Sequence, residues 1–131
     1  MLICADIIIP PNTPQENPVR VHVNVPAGII RKVWVLIPRG HRALAHLVIR
    51  HGETQIIPWA GDIHGDDEEL VFDEVYELKS KDKLVLEGWN EDEIYPHSFI
   101  VRLLILPQPY AFPEISVLSA LKRVLEVLGI E

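Results

Sequence analysis

Histidines and carboxylates are the residues of this chain whose chemistry could serve a site. Six histidines occur among its 131 residues, and His41, His46 and His51 follow one another at intervals of five. Because successive side chains of a strand point to opposite faces, this spacing cannot bring the three rings together from one flat strand. A metal-binding pattern of two histidines two residues apart, followed by a glutamate, is absent. The sequence therefore predicts no histidine-based catalytic metal.

The densest polar cluster is the segment GDIHGDDEE, residues 61–69. The carboxylates of Asp62, Asp66 and Asp67 could offer oxygen ligands to a hard cation such as Ca²⁺. The spacing of an EF-hand loop is absent, and a solvated acidic loop is the commoner explanation of such a run. We therefore expect neither a bound metal nor another cofactor.

Aromatic residues beside these carboxylates suggest an alternative, a carbohydrate- or ligand-binding rim. Trp59 precedes the acidic segment, and a second polar turn, GWNEDEIYPH, spans residues 88–97. Paired carboxylates next to such a rim could even hydrolyse a glycoside. The competing interpretation is that the tryptophan rings are buried over the ends of the fold, with the indole N–H hydrogen-bonded. The residues of this alternative site are Trp59, Asp62, Asp66, Asp67, Trp89, Asn90 and Tyr95.

Signatures of nucleophilic or phosphate chemistry are missing from the sequence. There is no G-x-S-x-G turn and no glycine-rich phosphate loop. The single cysteine, Cys4, lies in an apolar stretch, where a thiol is usually inert. The sequence accordingly predicts a non-enzymatic protein.

The charge balance limits the partners of this protein. The formal net charge is −7 and the isoelectric point is near 5.3. Such a balance argues against nucleic acid, whose affinity for proteins comes largely from lysine and arginine, and against anionic membranes. The N-terminus has no basic region, and no segment approaches the roughly 18 apolar residues that span a bilayer. We expect a cytoplasmic or virion location.

The elements that must position these residues are short β-strands. Residues 19–25, VRVHVNV, alternate between apolar and polar side chains, and the longest apolar alternation is HSFIVRLLIL at residues 97–106. Counting the N-terminal segment, about eight strands are separated by turn signals. This pattern predicts an all-β fold, an antiparallel jelly-roll-like β-sandwich over residues 19–106.

An apolar element precedes this sandwich in the sequence and another follows it, and a proline-rich stretch separates each of them from it. Residues 1–18 are predicted to be an apolar segment with a proline-rich arm, and residues 107–131 a proline-rich linker and an amphipathic C-terminal α-helix. Each element could fold back onto its own sandwich or pack on a neighbouring subunit. The predicted interface residues are Leu2, Ile7, Ile8, Ile9, Val117, Leu118, Leu121, Val124, Leu125 and Leu128.

A compact β-rich body running from VRVHVNV to FIVRLLIL, flanked by tethered arms, resembles the decoration, or cement, proteins of tailed phages and other viral particles. Such proteins commonly clasp their neighbours on a capsid lattice with extended arms. The resemblance concerns the layout of the whole chain, so no functional residue is carried over from it. It implies a structural or assembly protein that self-associates, or binds a larger protein lattice, through its terminal arms.

Overall fold

The computed structural model describes residues 1–107, which contain eight β-strands and no helix. The all-β prediction is confirmed for this part of the chain. The predicted C-terminal helix lies outside the described residues. Within residues 1–107 there is accordingly no helix of the length and hydropathy that crossing a membrane requires. The strands are β1 Leu2–Ile9, β2 Val19–Val25, β3 Gly28–Ile37, β4 Ala45–His51, β5 Thr54–Ile57, β6 Glu68–Leu78, β7 Asp82–Asn90 and β8 His97–Leu106.

The strands form two antiparallel sheets of four strands each. Sheet A has the order β1-β8-β3-β6, and sheet B has the order β2-β7-β4-β5. Within the described residues, only the β4–β5 hairpin joins consecutive strands of one sheet. Every other connection crosses between the sheets, so strands that are neighbours in a sheet are mostly distant in sequence.

The core lies between the two sheets and is built by alternation along each strand. In β3 the inward-facing residues Val33, Val35 and Ile37 are fully buried, as their spacing predicts. Burial of a large apolar side chain contributes about 1.5–3 kcal/mol to stability. At Gly88 of β7, an added Cβ would clash with Cδ1 of Ile9. The missing side chain therefore makes room for β1 against sheet B.

Of the two alternatives predicted for the N-terminal apolar segment, the structure shows the one in which it folds back onto its own sandwich. β1 is an edge strand of sheet A and pairs with β8 along its whole length. Ile7 and Ile9 are 1% and 0% exposed, because their side chains point between the two sheets. They belong to this chain's own core and are not available to a partner. Of the interface predicted at this terminus, Leu2 and Ile8 remain at the surface, 54% and 67% exposed.

Four loops meet at one end of the sandwich, which we call the loop end. Backbone hydrogen bonds tie these loops together, since Asn12 N–H donates to the carbonyl of Asp92 (2.9 Å) and Ala43 N–H donates to that of Gly65 (3.0 Å). Residues far apart in sequence are therefore held side by side. The loop end is formed by residues 10–18, 38–44, 58–67 and 91–96.

Candidate functional site

A histidine–carboxylate group lies where the loop end meets the outer face of sheet B. His46 comes from β4, and Asp62 and His64 come from the loop that leads to β6. Ile63, between them, is buried and exchanges two backbone hydrogen bonds with Leu47, of 2.8 and 2.9 Å. This short bridge fixes Asp62 and His64 beside His46, with all three side chains facing outward.

The contacts within this group are short and converge on one carboxylate. Oδ1 of Asp62 lies 2.7 Å from Nδ1 of His46 and 2.8 Å from Nδ1 of His64. Nε2 of His46 lies 3.3 Å from Oε2 of Glu91, and its ring stacks on Trp89 with the centroids 5.3 Å apart. Burial raises the pKa of Asp62, but the two histidine hydrogen bonds outweigh it and hold that pKa below its ordinary value. We call His46, Asp62, His64 and Glu91 the His46 cluster.

A second pair of histidines fills the interior of the loop end. The rings of His41 and His97 are buried with their centroids 4.6 Å apart. Nε2 of His41 lies 2.8 Å from the carbonyl oxygen of Ser98, and Nε2 of His97 lies 2.8 Å from Oδ2 of Asp92. Burial is the main cause that lowers the pKa of His41, so its ring is neutral at neutral pH. This pair packs and hydrogen-bonds the loops, and Nδ1 of His41 is a buried atom without a hydrogen-bond partner among the described residues.

The third histidine of the five-residue series lies at the opposite end of the sandwich. His51 contacts the hydroxyl of Tyr76 through Nδ1, and its Nε2 lies 2.6 Å from Oδ2 of Asp82. Tyr76 belongs to sheet A, whereas His51 and Asp82 belong to sheet B, so the contact links the sheets. His41, His46 and His51 therefore do not converge.

The aromatic residues of the predicted ligand rim lie in different places. Trp89 is buried and lines a cleft of about 380 Å³, whereas Tyr95 lines another cleft, of about 460 Å³. Trp59 is 91% exposed, so the interpretation that its ring is buried over an end of the fold is wrong, whereas the ring of Trp89 is buried. The predicted rim is thus divided and offers no common aromatic platform.

The polar residues of that alternative site hold loops in place. Asn90 is buried, and its Nδ2 donates to the carbonyl of Tyr95 at 2.9 Å. Oδ1 of Asp66 accepts hydrogen bonds from the backbone N–H of Gly40 (2.7 Å) and of His41. The bond from Gly40 is the main cause that lowers the pKa of Asp66. These contacts organise the loop end and leave Asp62 as the predicted carboxylate that joins the His46 cluster.

The outer face of sheet A is mainly apolar, and we call it the sheet A face. Side chains from neighbouring strands meet on it, with Leu36 opposite Ile100 and Trp34 opposite Val71. Its ion pairs run between strands, Arg102 to Glu69 at 3.1 Å and Lys32 to Asp73 at 3.4 Å. Contiguous exposed apolar surface on a folded domain commonly marks an interaction site. The apolar members are Leu2, Ile8, Trp34, Leu36, Val71, Val75, Ile100, Leu104 and Leu106.

The outer face of sheet B is polar, and we call it the sheet B face. Glu87 lies at its centre between two arginines, 3.1 Å from Nε of Arg20 and 2.8 Å from Nε of Arg50. Burial raises the pKa of Glu87, but the hydrogen bonds from the two arginines outweigh it and keep that pKa below its ordinary value. His22 and Asn24 complete a surface that water solvates well.

The His46 cluster was not among the sequence predictions. Its contacts join residues 16 and 45 positions apart, which only the pairing of loops and strands brings together. A local signal was present in the triplet Asp62-Ile63-His64, where a buried apolar residue separates two metal-ligand types. Comparison with known proteins finds neither a family model nor a curated protein that matches this chain.

Proposed function

We propose that this protein is a non-enzymatic assembly protein that self-associates through the sheet A face. The observation that supports the proposal is the contrast between the two outer faces. Leu2, Ile8, Val71 and Val75 on the sheet A face are each at least half exposed. Their burial in an interface would release apolar surface from water at about 25 cal/mol per Å².

A jelly roll is the finer description that we propose for the sandwich. It is supported by the strand orders β1-β8-β3-β6 and β2-β7-β4-β5 and by the connections that cross from sheet to sheet. Jelly rolls occur in viral capsid proteins, in lectin domains and in cupins. Because one fold serves several functions, the choice among them has to rest on surfaces and sites.

The partner that we propose for the sheet A face is a second copy of this chain. A twofold contact places the same patch of each copy against the other, so the patch must complement itself. The two ion pairs on the face neutralise the charges of Lys32, Glu69, Asp73 and Arg102, and Asp6 and Glu77 are further charged residues on the outer face of sheet A. Two copies can therefore meet there despite the net charge of −7 on each chain.

The resemblance to decoration proteins adds a setting to this proposal. In that setting the self-associated protein lies on a larger protein lattice, such as the capsid of a virion. The divided positions of Trp59, Trp89 and Tyr95 do not favour the alternative of a carbohydrate-binding module.

The proposal is tested by placing charges on one outer face at a time. We expect the double variant Ile8→Lys with Val71→Lys to be a monomer by sedimentation equilibrium, while the wild type associates at micromolar concentration. Both residues are exposed within one chain, so the variant should keep its melting transition. The matched control, His22→Lys with Val85→Lys on the sheet B face, should associate like the wild type.

Two results would overturn the proposal. A wild type that stays monomeric at all concentrations excludes self-association. A face variant that melts well below the wild type diluted until it is monomeric would show that the chain's own residues 108–131 cover the face instead.

A further inference from the structure

We infer that the His46 cluster binds a divalent transition-metal ion, and that zinc is the ion its donors suit best. The proposed ligands are Nδ1 of His46, a carboxylate oxygen of Asp62 and a ring nitrogen of His64. One ligand atom from each of these residues lies within 4.8 Å of the other two. This inference is independent of the proposed assembly role, since it concerns the opposite sheet.

The spacing of the donor atoms allows an ion to enter. Donors around tetrahedral zinc at bond lengths of 2.0–2.1 Å are separated by roughly 3.3 Å. The separations of 2.7 and 2.8 Å between Asp62 and the two histidines are slightly shorter than this. Small side-chain rotations would open them, and the exposed ring of His64 has the freedom to make that adjustment.

The surroundings of His46 also suit a metal ligand. Its ring lies between two carboxylates, Asp62 on Nδ1 and Glu91 on Nε2. Ionised carboxylates only accept hydrogen bonds, and a neutral imidazole has a single N–H to donate. With a metal on Nδ1, a neutral ring donates its single N–H, at Nε2, to Glu91, and Asp62 is free to ligate the metal. A carboxylate on the far nitrogen of a ligating histidine is the usual arrangement in metal sites.

The proposed ligands are held in fixed positions and lie in negatively charged surroundings, and both features favour metal binding. Trp89 stacks on the ring of His46 with an angle of 12° between the planes, which fixes the direction of Nδ1. The Ile63–Leu47 bridge fixes the other two ligands. Asp62 and Glu91 carry two negative charges when ionised, which a divalent cation would balance.

The donor set selects the class of metal. Calcium and magnesium take oxygen ligands, whereas two imidazole nitrogens with one carboxylate suit zinc and related transition metals. Three protein ligands leave a fourth position for water. From the sequence we expected no bound metal, because His46 and the acidic segment were considered separately there. The structure brings them together.

The test measures zinc uptake and thermal stability together, on protein first stripped with a chelator. We expect one zinc ion per wild-type chain to bind with a rise in melting temperature, since a ligand of the folded state stabilises it. His64→Ala and Asp62→Asn should lose both effects. His22→Ala, which removes an exposed histidine of the sheet B face, is the matched control and should keep both.

Two further measurements separate the roles of the residues. Co²⁺ added in place of zinc should give the visible absorption of a tetrahedral site in the wild type and in His22→Ala, but not in His64→Ala. Glu91→Gln should keep the site but weaken zinc binding about 10- to 100-fold, as expected for a residue that orients a ligand. Equal zinc uptake by the wild type and His64→Ala, or no uptake by either, would overturn the inference.

Discussion

The outer faces of the two sheets differ in polarity, although in both sheets every second residue of a strand points into the core. β2 of sheet B reads VRVHVNV, with every second residue polar, so one face meets the core and the other meets water. β8 of sheet A reads HSFIVRLLIL and carries apolar residues on both faces. A strand that is apolar on both faces is typical of one covered on both sides. The difference supports our proposal that a second copy of the chain covers the sheet A face.

The largest expected effect is a difference in stability between variants on the two faces of one strand, β1. Ile7→Ala should lower the free energy of unfolding by about 2–5 kcal/mol, because it leaves a cavity in the core. Ile8→Ala, one residue along and on the outer face, should change it by only about 0.5 kcal/mol in the dissociated chain. Urea unfolding at low protein concentration measures both. Equal losses in the two variants would contradict the inward and outward assignment of β1.

A smaller effect is expected at the centre of the sheet B face. Glu87→Gln removes the charge that Arg20 and Arg50 share, and should lower the free energy of unfolding by about 1–2 kcal/mol. This value lies between those of an exposed and a buried ion pair, because Glu87 is half-buried. Glu16→Gln, an exposed glutamate in the loop after β1, is the control and should be nearly neutral. Indistinguishable unfolding curves for these two variants would remove any stabilising role for the sheet B ion pairs.

The smallest effect is a pH dependence that follows from the same residue. The pKa of Glu87 is lowered in the folded chain from an ordinary value of 4.5. Its contribution to stability is therefore complete above that value and is lost as the pH falls through the lower, folded pKa. Melting curves of the wild type should shift down over this acid range. The stability gap between wild type and Glu87→Gln should narrow there, and a gap that stays constant would contradict the assignment.

Much of the fold was predictable because it depends on local patterns. The alternation in residues 19–25 and in residues 97–106 predicted the strands that the structure shows as β2 and β8. The pairing of β1 with β8 was not predictable, because strand register over such a separation depends on the whole topology. The apolar residues 2–9 and the prolines that follow them are equally consistent with a strand of the sandwich and with an arm outside it.

The candidate sites were less predictable than the strands, for a related reason. The His46 cluster depends on a short bridge between β4 and an irregular loop, and no periodic pattern marks such a contact. Trp59 and Trp89 have similar sequence surroundings, with an acidic turn after each. The structure exposes Trp59 and buries Trp89, since only Trp89 lies in a strand with His46 beside it.

The pairing of β1 with β8 also determines the order in which this domain can be completed during synthesis. Among the described strands the ribosome makes β1 before the others, yet its hydrogen-bonding partner is β8, the last of them. β1 can therefore pair with β8 only after residues 97–106 have left the ribosome exit tunnel, and until then Ile7 and Ile9 lack that partner strand. Pairings between distant segments fold slowly, and uncovered strands are prone to aggregate during that delay. Closing of the sandwich is thus a late event that depends on nearly the whole domain being available at once.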